Sequence, residues 1–150
     1  MIAVLGTGCN KQQNPDGRED VSGKITLNGQ ILKANANIRF VALSDDRAAG
    51  GGGQVNAGKY HLTGQDAIKP GKYKVRIEAY ELYDRKTLAP ATGETGDFDF
   101  YQVVLVPPEF NVESTLEFEV VAGKKNVFNY DIVTSYVPDT KPKGNAPAMN

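Results

Sequence analysis

The chain has 150 residues, 40% of them hydrophobic and 23% charged, with a net charge of −1 at pH 7. That length suits one domain with its own core, and the lack of a basic surplus argues against nucleic acid as a partner. A single cysteine excludes an internal disulfide, and a single histidine with no tryptophan leaves few of the side chains that most often carry catalysis or bind metals.

At the N-terminus, Met1-Ile2-Ala3-Val4-Leu5 is apolar, Gly6-Thr7-Gly8 is small, and Cys9 is followed at once by polar sequence. This arrangement resembles the lipobox of bacterial lipoproteins, in which small residues precede a cysteine whose thiol takes a diacylglycerol. Thr7 and Gly8 suit the two positions before Cys9. Gly6 stands where that motif usually has leucine, with Leu5 one step further away. Residues 1–8 are shorter than a secretory signal and lack its basic start. Either translation begins further upstream, or the segment is a tail with an incidental thiol. No window approaches the roughly 18 apolar residues of a membrane-spanning helix.

Residues 10–20, NKQQNPDGRED, have Pro15 as their only apolar side chain and read as a flexible tether. Residues 138–150, PDTKPKGNAPAMN, read as a C-terminal tail of similar character. The expected layout is a signal-like segment 1–8, a lipidated Cys9 with a tether to 20, a folded domain 21–137 and a tail 138–150.

Within the domain the hydrophobic period is two. Val21-Ser22-Gly23-Lys24-Ile25-Thr26-Leu27 alternates, and so does Lys72-Tyr73-Lys74-Val75-Arg76-Ile77-Glu78-Ala79. Residues 115–120 and 128–132 repeat the pattern. Successive strand side chains point to opposite faces, so each run predicts a strand with one buried and one wet face. Further strands are expected over 38–43, 54–56, 59–63 and 102–106. Asn28-Gly29, Ala57-Gly58, Pro70-Gly71 and residues 122–126 supply turns between them. Gly50-Gly51-Gly52-Gly53 reads as a flexible connection, because a phosphate loop needs a following helix and a lysine at fixed spacing. About seven or eight short strands with regular turns predict an all-β fold, an antiparallel Ig-like β-sandwich in a single domain. Its expected core is Val21, Ile25, Leu27, Ile38, Phe40, Tyr60, Leu62, Tyr73, Val75, Ile77, Leu116, Phe118, Val120, Phe128, Tyr130 and Ile132.

Val21-Ser22-Gly23-Lys24-Ile25, with Gly58-Lys59-Tyr60 and Pro70-Gly71-Lys72-Tyr73-Lys74-Val75, resembles carboxypeptidase regulatory-like domains, which are transthyretin-like β-sandwiches. Residues 107–116, Pro107-Pro108-Glu109-Phe110-Asn111-Val112-Glu113-Ser114-Thr115-Leu116, resemble the P-x-[YF]-N-x-x-S-x-L signature of small lipoproteins of planctomycete-type bacteria. Asn126-Val127-Phe128-Asn129-Tyr130-Asp131 is similar to their N-x-F-x-F-x-L ending, with Tyr130 and Ile132 as departures. The resemblance spans about residues 21–133 and implies a fold more than an activity.

Side chains that could carry chemistry are few. Alternation places His61 on the wet face of its strand, away from any serine in a nucleophile-elbow context. Residues 81–101 form the longest expected loop, and such loops are often functional. Glu94, Asp97 and Asp99 could bind Ca²⁺ there, and Tyr83 and Tyr101 could stack on sugar rings. Asp97-Phe98-Asp99-Phe100 also alternates as an edge strand would. The expectation is a non-catalytic module in the bacterial cell envelope, tied to the membrane through a lipid on Cys9, with a structural or interaction role toward an envelope protein or glycan. A glycan- or calcium-binding surface module using the 81–101 loop is the alternative. No other cofactor is expected.

Overall fold

The computed structural model describes residues 14–46, 49–84 and 100–139. Ten strands run in chain order: β1 (Val21–Leu27), β2 (Gln30–Ile31), β3 (Asn35–Ala42), β4 (Gly51–Val55), β5 (Lys59–Leu62), β6 (Gly71–Asp84), β7 (Phe100–Val104), β8 (Glu117–Val120), β9 (Asn126–Val127) and β10 (Tyr130–Ile132). They form two sheets packed as a β-sandwich. In the first, β1 is central, with β5 and β2 antiparallel along one edge and β9 and β10 parallel along the other. In the second the order is β4-β3-β6, and β8 and β7 pair with the two ends of β6.

The all-β expectation is met, with two corrections. The count exceeds eight because β2 and β9 are two-residue strands, too short to show a period. The pairing is also mixed rather than antiparallel throughout. Residues 121–125 carry the chain from the second sheet to the first, so β9 and β10 arrive parallel to β1. A parallel neighbour needs such a crossing, whereas a hairpin produces an antiparallel one. Asn126 closes this turn: its amide oxygen accepts the Val121 N–H at 2.8 Å and its amide nitrogen donates to the Val121 and Lys124 carbonyls.

The glycine run is a further correction. Gly51–Gly53 belong to β4 and pair with β3 from Phe40↔Gly51 to Ala36↔Val55. A methyl group on Gly51 would come within 2.9 Å of Ile68 Cδ1, and one on Gly53 within 2.7 Å of Leu62 Cδ2. On the other side, Gly50 and Gly52 have the Phe40 and Ile38 carbonyl oxygens too close for any side chain. The run is therefore a strand held close to the core and to β3, not a loose connection. At the expected hairpins, Asn28 and Gly29 have φ of 50° and 75°, and Ala57 and Gly58 have φ of 48° and 74°. Positive φ at both central residues matches the right-handed twist of the flanking strands.

Residues 14–20, expected as the second half of a flexible tether, are instead held against the domain. Glu19 exchanges backbone hydrogen bonds with Ile68, Arg18 Nη1 donates to the Ala67 carbonyl at 2.7 Å, and Asn14 Oδ1 accepts the Gly64 N–H at 2.8 Å. Composition alone suggested a solvated leash, but these polar side chains and backbone groups find partners that no apolar pattern announces.

Of the expected core, Val21, Ile25, Ile38, Phe40, Tyr60, Leu62, Tyr73, Val75, Ile77, Val120 and Ile132 are buried, while Leu27, Leu116, Phe118, Phe128 and Tyr130 are half-buried against them. Phe40 sits at the centre, with the rings of Tyr60, Tyr73, Phe118 and Phe128 at 6.0–6.3 Å. Leu32, Ala67, Ile68, Val103 and Val106 are also buried; apart from Val103 in β7, they lie outside the strands and so outside the period-two pattern. Ser114 is buried because its hydroxyl donates to the Val75 carbonyl at 2.5 Å, beside the Val75 N–H to Leu116 bond. The serine of the 107–116 motif thus fixes the chain to β6 just before β8. Asp131 accepts from the Thr26 hydroxyl and the Gly29 N–H, which hold its carboxyl below the ordinary aspartate range.

The Tyr60 hydroxyl donates to the Phe128 carbonyl at 2.8 Å, and burial pushes its pKa well above the usual tyrosine value. A pKa raised in the folded state means stability is fully present below the unfolded value of about 10 and is lost as pH rises beyond it. Tyr60→Phe is expected to lower stability at pH 7 by about 1–2 kcal/mol and to make the alkaline decline shallower. Urea titrations of both proteins between pH 7 and 11 check this; parallel alkaline limbs would show that Tyr60 is not the group responsible.

Candidate functional site

The sandwich has two ends, distinguished by the registers. At one end lie Glu19, Ile68, the start of β6 at Gly71 paired with Val120, and Gly123, whose N–H donates to Glu19 Oε1. At the other lie the start of β3, the β4–β5 turn and the last residues of β6. β3 reaches only as far as Asn35↔Tyr80. Beyond it β6 continues with β7 alone, from Tyr80↔Val104 to Asp84↔Phe100, so that a two-stranded arm projects past the core.

A polar cleft of about 510 Å³ lies at the root of this arm, between Lys33, Asn35, Asn56, Tyr80, Glu81 and Tyr83. The Tyr83 hydroxyl donates to Glu81 Oε2 at 2.6 Å. These residues stand two apart on one strand and so share a face. Both are half-buried. The cleft offers amides, one lysine and one carboxylate already engaged by a phenol, an arrangement suited to hydrogen-bonding a polar ligand.

The expected 81–101 loop is shorter than its sequence suggested. Residues 81–84 belong to β6 and residues 100–101 to β7, with Tyr83 and Tyr101 as direct partners in the ladder. The ladder brings the two tyrosine backbones together at the base of the remaining segment. Of the alternation read at Asp97–Phe100 as an edge strand, only Phe100, the first residue of β7, is described. Glu94, Asp97 and Asp99 lie outside the described residues, as does Cys9. Among the described residues no group of three metal-ligating side chains forms.

The His61 side chain is 62% exposed and stands 3.8 Å from Asp20 Oδ2, on the wet face that alternation assigned to it. Sequence reasoning passed over Glu81, Asn35 and Asn56. Alternation marks Asn35 as facing away from the core, but only the β3–β6 register and the β4–β5 turn bring the three together.

Compared with protein families, curated proteins and solved structures, the chain matches none.

Proposed function

We propose that the chain is a non-catalytic cell-envelope module of the carboxypeptidase regulatory-like, transthyretin-like type, held to a membrane by a lipid on Cys9 and displaying its far end to another molecule. The observation that carries this reading is the placement of the two ends. Asn14 to Glu19 are hydrogen-bonded to the Gly64–Ile68 end of the sandwich, and the polar cleft at Glu81 and Tyr83 lies at the opposite end of β6. Cys9 stands five residues before Asn14, a stretch of at most about 18 Å when fully extended. A lipid there keeps the docked end toward the bilayer and turns the cleft away from it, toward an envelope protein or glycan.

A second reading, a glycan- or calcium-binding surface module, draws support from the arm, where Tyr83 and Tyr101 are ladder partners and the Tyr83 hydroxyl holds Glu81.

The anchored-module reading is tested by the intact mass of the natively expressed protein and its partition between detergent and aqueous phases. The expected result is a chain that begins at Cys9, is heavier by a diacylglycerol or more, and enters detergent. An unmodified chain in the aqueous phase would remove both the anchor and the envelope location. Isothermal titration with Ca²⁺ tests the second reading. Heat that disappears in an Asp97→Asn, Asp99→Asn variant supports a calcium site, and a silent titration removes it.

A further inference from the structure

The outward face of the β4-β3-β6 sheet carries a second polar site, at the other side of the molecule's core from the first sheet. Registers across three strands place Gly52, Arg39 and Arg76 in one row, and Gln54, Asn37 and Glu78 in the next. Arg39 and Arg76 are therefore direct cross-strand partners. Like charges directly opposite each other in an antiparallel pair are unfavourable, and no ion pair among the described residues neutralises either one. Neither guanidinium forms an ion pair or hydrogen bond among the described residues. Arg39 is exposed, whereas Arg76 is half-buried with its Nε–H shut off from solvent and lacking a partner.

Beside Arg39 on β4 the outward positions are Gly50 and Gly52, which carry no side chain, and this bare backbone with the two arginines lines a groove of about 810 Å³. Two guanidinium forks side by side match the paired oxygens of a carboxylate or sulfate, which a point-charged lysine would not. The groove runs beside β3 from Asn37 to Asp45, so it suits an extended ligand. Its positive charge is also local. Asp45 lines the groove itself, Glu78 is a diagonal neighbour of Arg39, and Glu117 and Glu119 stand opposite Lys74 and Lys72 further along the face. A polymer with widely spaced charges can place one group at the arginines, while a densely charged one meets these carboxylates.

We propose that Arg39 and Arg76, with the glycine strip beside them, bind the carboxylate or sulfate groups of an acidic polysaccharide. The side-chain amides of Asn37 and Gln54 on the adjoining row then face the sugar hydroxyls. This site does not depend on the lipid anchor, and it adjoins the cleft at Tyr83, which Asn37 and Gln54 also line.

Affinity electrophoresis of the full chain tests the proposal, through gels containing polygalacturonate, κ-carrageenan or neutral dextran. Retardation by polygalacturonate alone assigns a carboxylate ligand, and retardation by κ-carrageenan alone assigns a sulfate; both support the site. R39Q and R76Q are each expected to weaken binding at least tenfold, R76K to fall between R76Q and the parent, and K72Q on the same face to change it less than twofold. Thermal unfolding checks that the glutamine variants fold, and their midpoints are expected to equal or exceed the parent's because the opposed charges are gone. Equal losses in K72Q and R76Q would reduce the effect to diffuse charge and overturn the proposal. So would retardation by dextran, or none by either acidic polymer.

Discussion

The first sheet depends on a close approach between Gly23 and the Phe128 carbonyl. Between β9 and β10 the chain leaves its parallel ladder with β1 for two residues. The Phe128 N–H still donates to Ser22, at 2.9 Å, but its carbonyl turns across Gly23 and accepts the Tyr60 hydroxyl. The Lys24 N–H, which would otherwise meet that carbonyl's side of the ladder, is taken by Asn129 Oδ1 at 2.8 Å. A Cβ on residue 23 would overlap the Phe128 carbonyl group, so only glycine fits. Three separate parts of the chain are joined at this point, since Tyr60 is the direct partner of Gly23 in β5.

This junction also connects the two sheets. The Phe128 ring lies 5.4 Å from Phe118, 5.9 Å from Tyr130 in a stacked pair, and 6.3 Å from Phe40 at the centre of the core. Displacing the Phe128 backbone would therefore shift a ring that packs on residues of both sheets. Because cores are packed near crystal density, such a shift is not absorbed locally. With β1 fixed, its N-terminal extension reaches the Ile68 end of the sandwich, and the long β6 carries its last residues beyond the opposite end. The separation between the docked segment and the polar cleft thus follows from how β1 and β6 are held.

The fold was largely legible because strands with one wet face write their burial into a period of two. Residues 72–79 show this most plainly, and the Asn28-Gly29 turn was equally clear from its chemistry. What the pattern could not express was strand direction, so the parallel pairing of β1 with β9 and β10 went unread. Glycine has no side chain to alternate, so of β4 only Gln54 and Val55 read as strand and Gly51–Gly53 read as a connection. Short polar stretches such as Asn14 to Asp20 were unreadable for a different reason: hydrogen bonds hold them, and hydrogen bonds leave no hydrophobic trace in sequence. The same limit applies to function. Tyr83 was singled out for its aromatic ring, but its link to Glu81 and its pairing with Tyr101 come from register. Arg39 and Arg76 lie 37 positions apart, and only the β3–β6 ladder makes them neighbours.

The Gly23 junction is tested most directly by the unfolding free energy of Gly23→Ala, measured by urea denaturation beside the parent chain. A methyl group at this position must push the Phe128 carbonyl away and break its bond with Tyr60. The expected loss is more than about 3 kcal/mol, well beyond the typical cost of a single substitution. A change of less than about 1 kcal/mol would mean that β9 and β10 can separate from β1 at little cost, and that the first sheet is held by something other than this contact.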